Sequence, residues 1–200
     1  MQWRVVDDEG ATVDTGMPGE LWVRASGAEP RRGFFSGYLK DTAATEEAWA
    51  GGWFHTGDIV RADEDGNLYF VDRKKNVIRR SGENISAVEV ESVLNQHPLV
   101  QASAVAATPD PVRGDEVLAC VVMRGMPISA AERAALAARL VEHTLGQLAY
   151  FKAPGYVAFV DALPLTPSQK IQRGELKAMA AQLPAQPHCV DTRALKRRPH

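Results

Sequence analysis

Two short polar constellations in this 200-residue chain could do chemistry. In Thr56-Gly57-Asp58 a carboxylate follows a glycine, whose missing side chain lets the backbone approach a ligand closely. An ionised carboxylate there can accept charge-assisted hydrogen bonds from a pair of hydroxyls. Read from spacing alone, closing a turn is the commoner task for such an Asp. In Thr166-Pro167-Ser168-Gln169-Lys170 a long cationic stem sits in a Pro- and Ser-bearing loop. A positioned ammonium can stabilise negative charge that develops only in a transition state, whereas a lone loop lysine is usually just solvated.

Between them runs the stretch on which the chain is organised, GNLYFVDRKKNVIRRSGENISAVEVE over residues 66–91. A short apolar and aromatic run, 67–71, reads as a strand. A basic connection follows over 72–80, holding Asp72, Arg73, Lys74, Lys75, Arg79 and Arg80. The turn Ser81-Gly82-Glu83-Asn84 leads to a helix opened by Ser86. A charged run leaving one strand and entering a glycine turn has the form of a hinge at a domain junction, since a hinge needs only backbone freedom at an element end. The plainer readings are a surface salt bridge for Asp72 and Arg73, a glycine turn for Gly82 and a solvated face for Arg79 and Arg80.

The elements before the junction read as antiparallel β: strands over 3–6, 19–25, 53–60 and 67–71, joined by turns such as Asp63–Gly66. A glycine- and aromatic-rich loop spans 31–40, and Asp41 or Thr42 can cap a short helix. Few of these strands are fully apolar, so this region is not expected to close a core alone; Trp53, Phe54 and Tyr69 read as core and His55 as partly buried. After the junction the pattern becomes α+β. Ser86-x-x-Glu89 and Ser129-x-x-Glu132 are capping boxes. Strands follow over 100–107, 116–123 and 156–160, the second apolar enough to be buried on both faces. The expected division is a β subdomain over 1–71, a compact α+β domain over 72–183, and a loose basic tail over 184–200.

Four segments then form an ordered series: GELWVR with GFFSGYLKDTAATEEAW (19–49), GWFHTGDIV (52–60), VDRKKNVIRRSGENISAVEVE (71–91) and LPLTPSQKIQRGEL (163–176). Together they resemble the C-terminal part of the adenylate-forming acyl-CoA synthetases, and RRSGENIS, DPVRGDE and YFKAPGY resemble the crotonobetaine/carnitine-type acid–CoA ligases most. The resemblance implies an ATP-dependent, AMP-forming ligase that makes an acyl-adenylate and then a thioester with coenzyme A. It implies that residues 1–71 end a large ATP- and acid-binding domain, and that the rest is a small domain alternating between two poses. It further implies ribose contacts for Asp58 and Arg73, a hinge at Asp72, a thioester-forming loop with Gly82 and Glu83, coenzyme A phosphate contacts for Arg79 and Arg80, and transition-state stabilisation by Lys170. Magnesium would accompany ATP, with its ligands outside this chain. Gln169 departs from the family's usual Gly before the lysine, and His55 from a frequent Arg. The phosphate-binding loop and acyl pocket have no counterpart, so the chain alone is expected to be inactive without the missing N-terminal domain.

Two rivals stand beside that reading: an adenylation domain that loads a carrier protein, and a non-catalytic interaction module. Composition bounds the partners. A net charge of −2, with 24% charged residues, gives no general attraction to nucleic acid. No stretch reaches the roughly 18 apolar residues of a membrane span. Cys120 and Cys189 form neither a metal spacing nor a disulfide framework, which points to a reducing cytosol.

Overall fold

The computed structural model describes residues 1–125 and 129–196. The chain divides into two compact units, Met1–Lys75 and Asn76–His200.

Unit 1 is a four-stranded antiparallel meander of β1 (Gln2–Val6), β2 (Gly19–Arg24), β3 (Phe54–Ala62) and β4 (Leu68–Arg73), in that order. The β3–β4 turn forms because Asp63 acts as a local acceptor. Its Oδ1 takes the amides of Asp65 and Asn67 at 3.0 and 2.8 Å, and Oδ2 takes the Tyr69 hydroxyl at 2.9 Å. Between β2 and β3 the chain runs through α1 (Thr42–Ala48), capped by Asp41 Oδ1 on the Ala44 amide at 2.9 Å. The aromatic loop packs here: Phe34 meets Trp49 edge-on at 5.2 Å, and Phe35 meets Phe54 at 5.3 Å.

Two aromatic expectations change. Tyr69 lies 57% exposed rather than in a core. Trp53 is a stacking platform, with the Arg4 and Arg24 guanidinium carbons 4.6 and 4.1 Å from its ring. His55 stacks on Trp22 at 3.8 Å. The buried apolar set of this unit is small, comprising Val5, Val6, Trp49 and Val60.

Unit 2 is a mixed sheet with helices on its faces. A short hairpin of β5 (Ile78–Arg80) and β6 (Glu83–Ile85) leads into α2 (Ala87–Asn95). Long antiparallel strands β7 (Val100–Asp110) and β8 (Gly114–Met123) form the centre, and α3 (Ala130–Leu145) carries the chain to β9 (Tyr156–Phe159), which runs parallel to β8. Helix α4 (Arg173–Ala180) precedes a last strand, β10 (Cys189–Asp191), antiparallel to β9. The fold is therefore α+β, with one antiparallel and one mixed sheet.

Strand β8 shows why its apolar run is continuous. Val117, Ala119 and Val121 face one cluster with Val90, Leu94, Leu140 and Ile78. Leu118 and Cys120 face the other, with Leu176, Ala180 and Leu183. Alternate side chains point to opposite faces, so covering both faces demands apolar residues at every position.

The Ser129–Glu132 capping box forms in full. At α2 only half of the expected box forms: Ser86 Oγ accepts the Glu89 amide at 3.2 Å, while the Glu89 carboxylate takes Lys152 at 2.7 Å. The basic connection ends in β5, and the stretch read as a turn runs into β6; charged residues hide this hairpin from a hydrophobic reading. The tail is packed through Lys196 rather than loose: β10 joins the sheet and Thr192 is buried, its hydroxyl donating to the Pro154 carbonyl at 2.9 Å. Arg197 and Arg198 lie outside the described residues.

Candidate functional site

In unit 1, Asp58 and Arg73 are brought together as register partners across β3 and β4. Arg73 Nε stands 2.8 Å from Asp58 Oδ1, and an Arg73 Nη donates to the Thr56 carbonyl at 3.3 Å. Asp58 Oδ1 is enclosed but accepts no aligned hydrogen bond, and the carboxylate as a whole is 27% exposed. That leaves an anionic acceptor, backed by a cation, facing outward. The backbone around it is irregular. Gly57 adopts φ +69°, which favours glycine, and the ladder slips between Glu20 and Trp22 and again between Ile59 and Val60.

A residue that sequence reasoning passed over holds this kink. Glu20 is buried; its Oε1 accepts the Gly57 amide at 3.1 Å and its Oε2 takes Lys74 Nζ at 2.8 Å. Burial alone would raise its carboxyl, but the Lys74 and Gly57 hydrogen bonds hold it below the usual range. The available signal was an acidic residue inside the strand-like GELWVR. Asp72 is itself buried in β4, where its Oδ1 accepts the Arg73 amide at 2.7 Å.

In unit 2, Lys170 stands exposed at the end of a tight turn between β9 and α4. The turn closes through the Gln169 amide on the Thr166 carbonyl at 2.9 Å and the Thr166 amide on the Lys170 carbonyl at 2.8 Å. Leu165 and Ile171 pair across it, and Ile171 packs on the second core cluster. Gln169 has φ +62°. The family's glycine is thus explained, because this position demands the left-handed region that glycine enters without strain.

Beyond the turn, Arg173 grips Glu91 with two parallel bonds of 2.6 and 2.8 Å, and Glu91 Oε1 also accepts the Val105 amide at 2.7 Å. This clamp ties the Lys170 turn to α2 and β7. Among the described residues Lys170 has no carboxylate partner.

The Gly82 turn joins β5 to β6, with Ser81 at φ +51° and Gly82 at φ +84°. Gly82, Glu83 and Arg79 are exposed there, and the Arg79 amide donates to Asp115 Oδ2 at 3.3 Å. Arg80 corrects the expectation of a phosphate contact. It turns inward, 4% exposed, and its Nε donates to both oxygens of the fully buried Glu116 at 2.8 and 2.9 Å. A guanidinium so engaged is not available to an external phosphate.

Lys196 completes the cluster at 2.5 Å from Glu116 Oε1. Gly155 makes the room: a Cβ there would sit 2.5 Å from Glu116 Cδ. The three fragments RRSGENIS, DPVRGDE and YFKAPGY thus meet at one buried carboxylate. Neither Glu116 nor Lys196 was legible as part of a site. Among the described residues no group of three or more His, Cys, Asp or Glu could hold a metal ion, and no helix is long and apolar enough to cross a membrane.

Residues 89–170 match the family described as AMP-binding enzyme C-terminal domain. The chain carries an AMP-binding enzyme C-terminal domain. It is 41% identical over 175 residues to the mitochondrial acyl-coenzyme A synthetase ACSM5 of Homo sapiens, an alignment covering 88% of this chain and 30% of that protein. Among solved structures it resembles the anthranilate CoA ligase AuaEII in complex with anthranoyl-AMP, with a TM-score of 0.72 and 32% identity, over 92% of this chain and 34% of that one. It also resembles the amide bond synthetase McbA from Marinactinospora thermotolerans, with a TM-score of 0.70 and 33% identity, over 90% and 34% of the two chains. The chain therefore spans about a third of the length of these relatives.

Proposed function

We propose that this chain is the C-terminal portion of an ATP-dependent, AMP-forming carboxylic acid–CoA ligase. The observation that carries the reading is Lys170: an unpaired ammonium on a turn pinned at both flanks, with the Arg173–Glu91 clamp immediately behind it. A cation held this way keeps its position at little cost when charge develops on the α-phosphate and the acid during adenylation. Asp58 takes the ribose hydroxyls through its exposed oxygen, and Arg73 both fixes that carboxylate and approaches the sugar. The segment from Asp72 to Lys75, where unit 1 ends, is the hinge. Gly82 and Glu83, on their exposed turn, meet the pantetheine arm of coenzyme A in the thioester step, with Arg79 as the cation near its phosphates. Magnesium comes with the nucleotide.

The acid is chosen by an acyl pocket in the N-terminal portion, so the carnitine-like flavour of the motifs carries no substrate assignment. The free cysteines fit a reducing compartment; we place the enzyme in the cytosol, and its relative's mitochondrial setting offers the same chemistry. The decisive test is Lys170→Ala in this chain joined to its ATP- and acid-binding portion. Adenylation, followed as acid-dependent pyrophosphate release, is expected to fall about 100-fold or more. Thioester formation from a supplied acyl-adenylate is expected to stay intact, and equal loss of both half-reactions would sink the assignment.

A further inference from the structure

The β5–β6 hairpin is fastened unevenly. At its open end Ile78 pairs with Ile85, and both are fully buried in the larger core cluster. At its turn end Arg80 pairs with Glu83, and one register pair, Arg80 with Gly114, joins the hairpin to β8. The Ser81 amide adds a bond to the Arg113 carbonyl at 2.9 Å. The Arg79 amide on Asp115 Oδ2 at 3.3 Å and the Arg80 side chain on Glu116 also hold the turn end.

Glu116 is enclosed by segments far apart in sequence: Arg80 from the hairpin, Gly155 from the approach to β9, and Lys196 from beyond β10. The last of these is itself anchored. Thr192 bonds both Pro154 and Gly155 through its hydroxyl and amide at 2.9 Å each, and Arg193 bridges Asp191 at 2.7 Å and Asp110 at 3.3 Å. Lys196 is then delivered with its side chain 1% exposed. A carboxylate this deep is stable only when its lone pairs are taken up. Arg80 reaches it through Nε alone, the Val117 amide donates to Oε1 at 2.9 Å, and Lys196 supplies the second cationic donor.

We propose that Glu116 and Lys196 are positioning residues for the Gly82 turn, the C-terminal segment acting as a latch that fixes the turn end of the hairpin for thioester formation. The proposal rests on the reading of that turn as the thioester-forming element. Neither residue touches substrate; each acts through Arg80.

Deuterium exchange on the whole chain tests the latch. In Lys196→Met the amides of residues 80–83 are expected to exchange about tenfold faster, while those of α3 keep their protection, because local opening is set by the local anchors. Lys196→Arg is expected to restore protection. Unchanged exchange at 80–83 in Lys196→Met would overturn the latch. In the chain joined to its ATP- and acid-binding portion, Lys196→Met is expected to slow thioester formation from a supplied acyl-adenylate about tenfold, with pyrophosphate release unaltered. Faster exchange with an undiminished thioester rate would overturn the positioning role. A Lys170→Ala variant that still releases pyrophosphate normally would instead overturn the ligase reading, which separates the two failures.

Discussion

The Lys170 turn and the Gly82 hairpin are each held by an arginine on a buried glutamate, but the two anchors are built differently. Behind Lys170, Arg173 meets Glu91 fork to fork, and the remaining acceptor capacity goes to the Val105 amide. That clamp sets one cation against one anion and draws on α2, β7 and α4. Behind Gly82, Arg80 offers Glu116 only Nε, and a second cation arrives from the chain's last described residue. One anchor is a balanced pair; the other carries an extra buried positive charge. A loop placed by the first depends on its own neighbourhood, and a loop placed by the second depends on a distant segment.

Removing the anion is the strongest way to expose this difference. Glu116→Gln strands two buried cations, and stability measured by denaturant midpoint is expected to fall by about 3–5 kcal/mol. Glu91→Gln strands one arginine that is 23% exposed, so water can take part of its charge. Its cost is expected to be smaller, about 2–3 kcal/mol. An equal loss in the two variants would break the contrast between them.

The excess charge also gives the second anchor a pH signature. Lys196 is pushed down to about 8, first by burial and then by the nearby Arg80 and Arg113, against the pull of Glu116. An unfolded lysine holds its proton until roughly pH 10.4. Between these values the unfolded state binds more protons than the folded state, so stability from this group rises with pH. Relative to Lys196→Met, the native chain is expected to gain about 3 kcal/mol at most between pH 8 and 10.5. The thiols work the other way, Cys120 being pushed up to about 12 and Cys189 to about 11 by burial, but both proteins share them and they cancel in the difference. The Glu91 clamp contains no lysine, so Glu91→Gln keeps the Lys196 rise and its stability difference from the native chain is expected to stay flat across this pH range.

The contrast also marks what the sequence could reveal. The caps at Ser86 and Ser129 and the continuously apolar β8 are local signals, and each was readable; the change of pattern was placed after residue 71, whereas unit 1 runs to Lys75. Asp58 and Lys170 were singled out through the family resemblance, spacing alone favouring a turn closure and a solvated lysine, and Asp58's pairing with Arg73 follows from one hairpin. The Arg80–Glu116 and Lys196–Glu116 contacts join residues 36 and 80 positions apart. Nothing local to Arg80 says that its charge is buried, because a basic residue between Arg79 and Ser81 reads as surface until its partner arrives. The β5–β6 hairpin was missed for the same reason. So was β10, which is three residues long and follows a proline-rich stretch.

The smallest effects concern the turns themselves, and there the two loops are expected to respond with opposite signs. Gln169, at φ +62°, sits where a side chain is strained, on the order of 1–2 kcal/mol for a non-glycine residue. Glycine would relieve that strain but adds unfolded-state entropy, so Gln169→Gly is expected to gain only about 0.5–1 kcal/mol. Gly82, at φ +84°, has no atom within 4 Å of where a Cβ would lie, so Gly82→Ala meets no clash and carries only the conformational penalty. Its loss is expected to be about 1–2 kcal/mol. Thermal midpoints of the two variants read the signs directly. If Gln169→Gly lowers stability, the Gln169 side chain contributes something that outweighs its strain. The Lys170 turn would then be held by more than its backbone bonds and the Arg173–Glu91 clamp.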